Sequence, residues 1–239
     1  MVGLVSDVGL KRKLNEDCAS YLEKEEFKVY VVADGMGGHN AGEVASEMAV
    51  KRIINYIDEK YSSSKINNLL AEAIEKVNRD IFNYSNTNES LSGMGTTVTA
   101  SLITKDFVHI ANVGDSSCFG IRKNEIIKIT KDHSLVQELV DMGSISEKEA
   151  EKHPKKNIIT RALGTGSSVC VDIFELENKE YDLYLLCSDG LTNELTKEEI
   201  LQVIMEEDDY VKIANKLVYL ANEKGGRDNI TVLLFGGDI

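Results

Sequence analysis

The chain has 239 residues, 42% of them apolar, enough for a large core. Layered β-rich folds of this length form one domain, expected here over 1–239. A formal net charge of −13, from 40 acidic and 27 basic residues, excludes nucleic acid and anionic membrane surfaces as partners, since both demand a basic face.

Residues 1–6 read as a short strand, followed by a polar segment from Ser6 to Asp17 that sets Arg12 near Asp7, Glu16 and Asp17. Tyr21 and Leu22 begin another strand, and Glu23 to Glu26 form a charged turn. Phe27 to Ala33 is an apolar, β-branched run expected as a strand buried on both faces. It breaks at Asp34 into a segment with Gly at 35, 37 and 38. Helical spacing then runs from Ala41 to Tyr61, and again after Ser64 through Phe82, with Ser62 to Ser64 as the loop between. A carboxylate at the end of a buried strand, on a turn free of side-chain bulk, can ligate a metal, act as a base or cap the next helix. The residues of this stretch alone leave these roles open.

Asn83 to Ser92 reads as a polar loop. Four strands are expected in succession, over 96–103, 107–113, 117–121 and 125–129, which predicts an antiparallel meander. From 131 to 166 the pattern leaves the sheets, with short helices at 134–142 and after the capping box Ser146-x-x-Glu149. Strand signals return at 169–176 and 181–187, the second ending in Ser188-Asp189-Gly190. Helices follow from Thr196 and from Tyr210, and a last strand runs from Ile230 to Phe235. Pro154 is the only proline. The four cysteines (Cys18, Cys118, Cys170, Cys187) lack metal-ligand spacing and read as reduced, mostly buried thiols of a cytoplasmic protein. No signal sequence is expected, and no run nears the ~20 apolar residues of a membrane span.

Three further aspartates repeat the arrangement at Asp34: Asp115 in Gly-Asp-Ser, Asp189 in Ser-Asp-Gly and Asp228 in Arg-Asp-Asn. A single Asp-Gly turn is commonplace. If all four converge, with Glu16 and Asp17, so many like charges need a counterion, and a hard divalent cation on oxygen ligands is the usual one.

Asp7-x-Gly9-x-x-Arg12-x-x-Asn15-Glu16-Asp17, Asp34-Gly-Met-Gly-Gly38-His39, Gly95-Thr-Thr, Gly114-Asp115-Ser116, Asp132-His133-Ser134, Ser188-Asp189-Gly190 and Arg227-Asp228-Asn229-Ile-Thr231 occur in this order. In this the chain resembles the metal-dependent protein phosphatases of the type 2C family, and most closely the small bacterial members made of the catalytic domain alone. The resemblance runs from about Met1 to Phe235. It implies an α+β fold, a four-layer αββα sandwich of two mostly antiparallel sheets flanked by helix pairs. It also implies a monomer that hydrolyses phosphoserine and phosphothreonine on proteins, reversing a bacterial Ser/Thr kinase.

By the same resemblance Asp34 would bridge two Mn2+ or Mg2+ ions, the Gly35 carbonyl would bind one, and Asp189 and Asp228 the other. Glu16 would act through metal-bound water, Asp17 would support the shell, Arg12 would hold the substrate phosphate, and Asp115 with Asp189 would offer a third metal position. A metal-bridging water would attack phosphorus directly, with no phosphoenzyme. Met36 and Ser117 depart from residues common elsewhere in the family, His and Arg respectively. His133 and His153 are given structural roles, the general-acid role of the family's His is not transferred to His39, which reads equally as a helix-start residue, and 134–166 corresponds to the family's flap. A regulatory pseudophosphatase is disfavoured by retention of Asp34, Asp189 and Asp228, and a two-metal nuclease by the acidic charge.

Overall fold

A computed structural model of the chain describes residues 1–37, 41–62, 66–87, 89–150 and 152–237. Strands β1 (Val2–Asp7), β2 (Asp17–Glu23) and β3 (Lys28–Met36) precede helices α1 (Ala41–Lys60) and α2 (Leu69–Ser85). Then come β4 (Gly95–Thr96), β5 (Val98–Ile103), β6 (Phe107–Val113), β7 (Ser117–Arg122) and β8 (Glu125–Lys128). The excursion carries α3 (Leu135–Asp141) and α4 (Glu147–Ala150), and the chain returns through β9 (Asp172–Glu177) and β10 (Leu183–Cys187). Helices α5 (Asp189–Thr192), α6 (Lys197–Met205) and α7 (Tyr210–Lys224) lead to β11 (Ile230–Gly236).

The strands form two sheets, ordered β1-β11-β10-β7-β8 and β2-β3-β5-β6-β9, with β4 paired to β3. All these pairings are antiparallel. The period of two along each strand sorts the side chains into layers. On β3, Val29, Val31 and Ala33 pack under α1 and α2, while Tyr30 and Val32 face the other sheet. On β10, Leu185 and Cys187 pack under α5, α6 and α7, while Tyr184 and Leu186 face inward. The result is the expected four-layer αββα sandwich.

The layer between the sheets is graded along its length. At one end Tyr30, Tyr184 and Phe235 stack, with the Tyr30 and Phe235 ring centroids 3.7 Å apart. Two residues further along are Val32, Leu186 and Leu233. The next positions of the same parity are Asp34, Ser188 and Thr231, so alternation alone delivers the polar groups to one end of an apolar slab.

Several expectations are corrected. The four-strand meander is two hairpins in different sheets: β5–β6 belongs to one, β7–β8 to the other. The chain crosses between them at 114–116, where Gly114 has φ +110 and an added Cβ would lie 2.6 Å from Thr97. The strand expected over 96–103 breaks at Thr97, whose hydroxyl accepts from the Asp34 N–H at 3.0 Å and bonds Ser116 at 2.8 Å. The strands expected at 169–176 and 181–187 occupy 172–177 and 183–187. Helix α2 extends to Ser85, into the expected loop, and a 3₁₀ turn follows at Glu89–Leu91. Asp189 opens a short helix rather than a simple turn. Of the cysteines, Cys118 and Cys187 are buried, Cys18 is half-buried, and Cys170 is exposed. Gly38, His39, Ser63 and Ser64 lie outside the described residues. Among the described residues no helix is long and apolar enough to cross a membrane.

His109 on β6 is 2% exposed, and neither ring nitrogen has a hydrogen-bond partner among the described residues. Burial lowers its pKa, and the half-exposed Glu175, 3.7 Å away, only partly opposes this. A histidine whose folded pKa lies below its unfolded value contributes stability above the unfolded pKa and loses it as pH falls. His109→Leu is therefore expected to gain on wild type in melting temperature between pH 6.5 and pH 5. Parallel melting curves across that range would refute the assignment.

Candidate active site

Asp34 lies near the end of β3, directly opposite Asp17 on β2 in the antiparallel register. Two acidic side chains opposed across a ladder repel, so other contacts must hold them there. The backbone of Asp34 is gripped by the Gly95-Thr-Thr segment: its carbonyl accepts from the Thr97 N–H at 2.9 Å and the Thr96 hydroxyl at 2.9 Å. Asp17 Oδ2 accepts from the Ser188 hydroxyl at 2.7 Å, which ties the two sheets together across the acidic end. Asp17 Oδ1 is buried and has no partner among the described residues.

Gly35 follows Asp34 where backbones crowd. Its N–H donates to the Glu16 carbonyl at 3.1 Å, and an added Cβ would lie 2.2 Å from the carbonyl oxygen of Gly42 in the first turn of α1. The Glu16 carboxylate in turn accepts from the Gly42 N–H, which opposes a rise in its pKa caused first by burial. Glu16 thus holds the start of α1 as well as the rim of the site.

Asp228 and Asp189 approach from the other sheet. Asp228 sits just before β11 and accepts from Arg12 at 2.8 Å. Asp189 Oδ2 accepts from the Asn193 side-chain amide at 2.8 Å. Asp115 lies in the crossing turn after Gly114, with its Oδ1 buried and unpartnered among the described residues.

The electrostatics record the convergence. Burial raises Asp34 well above the carboxylate range, and the charges of Asp17, Asp189, Asp115 and Asp228 raise it further. Asp17 is pushed up to about 7, by burial first, with Asp189 and Asp228 adding to it against its hydroxyl partners. Asp115 is pushed up to about 8 by burial and by Asp189 and Asp132. Asp189 reaches about 6, through burial and Asp228, against the pull of Asn193, Lys156 and Arg12. Arg12 is exposed at the rim. Burial opposes its charge, but the Asp228 bond and the fields of Asp228, Glu16 and Asp34 outweigh that and raise its pKa.

All eight residues singled out from the sequence therefore lie at or around one end of the sandwich, with Arg12 on Asp228 rather than on its sequence neighbours Asp7, Glu16 or Asp17. As they stand, no three acidic, imidazole or thiol groups among the described residues close on one point tightly enough to hold an ion. The donor set nevertheless fits a hard cation. It is all oxygen, and it includes two buried carboxylate oxygens, on Asp17 and Asp115, with no hydrogen-bond partner among the described residues.

Further residues in and beside these motifs support the site. Asn229 is 5% exposed; its side-chain oxygen accepts from the Glu16 N–H, and its amide donates to the carbonyls of Val8 and Leu14. It staples the loop carrying Arg12 and Glu16 to the start of β11. The Gly226 carbonyl accepts from Leu10 and Lys11 and holds the same loop. His133 joins the 114–115 turn to the excursion: Nδ1 accepts from the Gly114 N–H at 3.0 Å, so Nε2 carries the proton toward Asp172 at 3.0 Å. His153 Nδ1 accepts from the Lys155 N–H within a surface turn. A burial pattern with polar residues at matching strand ends was the available signal for Ser188 and Thr231. For Asn229, with partners more than 200 residues away in sequence, there was none.

A four-layer αββα sandwich with an acidic centre at one end of the layer between its sheets defines the class of this protein. The sequence model described as protein phosphatase 2C matches residues 11–232. A serine/threonine phosphatase, stp, of Listeria welshimeri is 42% identical over 96% of this chain and 92% of its own length. Protein phosphatase PhpP of Streptococcus pneumoniae is 37% identical over 98% of this chain and 96% of its own. Among solved structures, serine/threonine phosphatase Stp1 from Staphylococcus aureus superposes with TM-score 0.92 at 35% identity, covering 98% of this chain and 94% of that one. The Mycobacterium tuberculosis serine/threonine phosphatase PstP/Ppp gives 0.90 at 34% identity, covering 100% and 99%. The chain belongs to the protein phosphatase 2C family.

Proposed function

We propose that this protein is a metal-dependent serine/threonine protein phosphatase that hydrolyses phosphoserine and phosphothreonine on proteins, including a cognate Ser/Thr kinase, and acts as a cytoplasmic monomer. The observation that carries the reading is the gathering of Asp17, Asp115, Asp189 and Asp228 around Asp34, whose proton affinity all four raise, with an exposed arginine at the rim. The named activities of the 2C relatives point the same way.

Asp34, Asp189, Asp228 and Asp115, with the Gly35 carbonyl, would hold two or three Mn2+ or Mg2+ ions, assisted by Glu16 and Asp17. Bound there, the ions would supply a nucleophile at neutral pH and neutralise charge on the transferring phosphoryl group. The remaining work belongs to the chain itself. Arg12 spends one N–H on Asp228 and keeps the rest of its five-donor fork for phosphate oxygens. Its loop is fixed from behind by Gly226 and Asn229, so the fork is presented rather than searched for. The apolar layer behind Val32 and Leu186 limits water on the inner side of the cluster.

Purified protein is expected to hydrolyse p-nitrophenyl phosphate and phosphothreonine peptides with Mn2+ and to lose this with EDTA. Full activity in chelator would overturn the reading. Arg12→Ala is expected to raise KM about 10-fold or more, with a smaller change in kcat, since a charge-assisted bond to phosphate amounts to ~1.5–3 kcal/mol. Its half-exposed pair with Asp228 contributes at most ~1 kcal/mol to stability, so the variant folds. A kcat loss at unchanged KM would remove Arg12 from phosphate binding.

A further inference from the structure

The excursion over 134–166 is anchored at both ends. Thr160 donates to the His133 carbonyl, and Leu163 exchanges backbone bonds with Thr96, beside Asp34. Between these anchors it stands away from α5 and α6 across a cleft of about 830 Å³, whose lining includes Asp115 and Asp189. Among the described residues, apart from the helix-cap bonds of Gln137 and Glu138 to Ser134, two polar links cross from 135–158 to the rest of the molecule. One is the ion pair of Asp141 with Lys131, at the base. The other is Lys156, whose ammonium donates to the Asn193 side-chain oxygen at 2.7 Å.

Asn193 is the C-cap of α5, and it holds Asp189 twice. Its N–H donates to the Asp189 carbonyl at 2.7 Å, and its side-chain amide donates to Asp189 Oδ2 at 2.8 Å. The amide orientation is forced, because an ammonium can only donate and an ionised carboxylate can only accept. A helix-end asparagine reaching back one turn is ordinary. An asparagine whose other face takes the one half-buried lysine of a lysine-rich stretch is not accounted for by helix capping: Lys152 and Lys155 are exposed, Lys156 is not.

We propose that Asn193 is a positioning residue that fixes the Asp189 carboxylate and, through Lys156, latches the excursion to it. Resting on the metal-dependent reading above, the latch makes the position of the excursion and the occupancy of the Asp189 site two ends of one equilibrium. Coupling of this kind is reciprocal: what tightens the excursion must tighten metal binding by the same factor. It also predicts that the bonded part of the effect passes through Asn193, since Lys156 bonds Asn193 and acts on Asp189 only through its field.

The test uses Mn2+ binding and backbone exchange, so it does not depend on turnover. Calorimetric titration with Mn2+ is expected to give a loss of about 10-fold in affinity for Asn193→Ala, the range for groups that orient a ligand. A smaller loss is expected for Lys156→Met, and no further loss in the double variant. Hydrogen exchange over 142–158 is expected to slow when Mn2+ binds wild type, and to be indifferent to saturating Mn2+ in either single variant. Lys156→Arg, which keeps a cationic donor, is expected to restore part of both effects. Lys156→Met alters a half-buried side chain on the excursion, so it remains informative even if Asn193→Ala loosens α5. Wild-type Mn2+ affinity and metal-dependent protection in both single variants would overturn the latch alone. Failure of wild type to bind Mn2+ at all would overturn the metal reading and the latch with it.

Discussion

Asp34→Ala is expected to lose at least about 100-fold in Mn2+-dependent hydrolysis while its metal-free form melts higher than wild type. The first half follows if Asp34 is the ligand shared between ions, since loss even of groups that only orient ligands costs 10–100-fold. The second half follows from the geometry. Among the described residues, every hydrogen bond that holds position 34 is made by its backbone: the N–H to Thr97 and the carbonyl from Thr96 and Thr97. Alanine keeps all of them. What it removes is a buried carboxyl group that four acidic neighbours make costly to ionise, which disfavours the folded state whenever no cation is present. A catalytic centre is where such strain is tolerated. Asp34→Asn keeps the shape, removes the charge and is expected to behave the same way. The measurement is a pair of melting curves in chelator beside a pair of initial rates in Mn2+. A variant that melts lower than wild type in chelator would make Asp34 a structural residue, whatever its rate.

The parts of this arrangement that were readable in the sequence are those with local causes. Phe27 to Ala33 declared a doubly buried strand through unbroken apolar, β-branched character, and β3 is buried on both faces. The Thr196-x-x-Glu199 start of α6 is a full capping box, and Ser146-x-x-Glu149 makes the same reciprocal contacts. The split of the meander was not readable, because a hairpin turn and a crossing between sheets use the same Gly-Asp-Ser chemistry. Only the tertiary contact of Gly114 with Thr97 distinguishes them. The site divides along the same line. Acidic residues at small-residue turns can be seen one at a time, but their convergence depends on strand parity and on which sheet each strand joins. Tyr30, Val32 and Asp34 share a face, as do Tyr184, Leu186 and Ser188. Read together, those triplets place a hydroxyl from one sheet against Asp17 on the other, a pairing across 171 residues that the family resemblance anticipated only as a supporting role for Asp17.

Without metal, the protein is expected to become less stable as pH rises from about 5 to about 8, the reverse of an ordinary acid-sensitive fold. Asp17, Asp115 and Asp189 are pushed up to about 7, about 8 and about 6, each by burial first. Unfolded aspartates titrate near 3.9. Between those values the folded state binds more protons than the unfolded state, so the stability slope with pH is negative. The contribution is fully present below the unfolded values and is lost through the folded ones. His109 bends the profile the other way below about pH 6.5, so the His109→Leu variant gives the cleaner reading on the acid side. Mn2+ is expected to abolish the loss above pH 7, because a bound cation supplies the charge that protons supply at pH 5 to 6. At a metal concentration of 100 times Kd the gain is ~2.7 kcal/mol, or ~5–10 °C in melting temperature for a chain of this size. Divalent metal and proton thus compete for one cluster, so each added pH unit should lower the Mn2+ concentration needed for half the stabilisation. Melting temperatures measured over a grid of pH and Mn2+ test this directly. A midpoint for Mn2+ that does not move with pH would mean that the metal binds away from these carboxylates, and the assignment of Asp115 and Asp189 to it would fall.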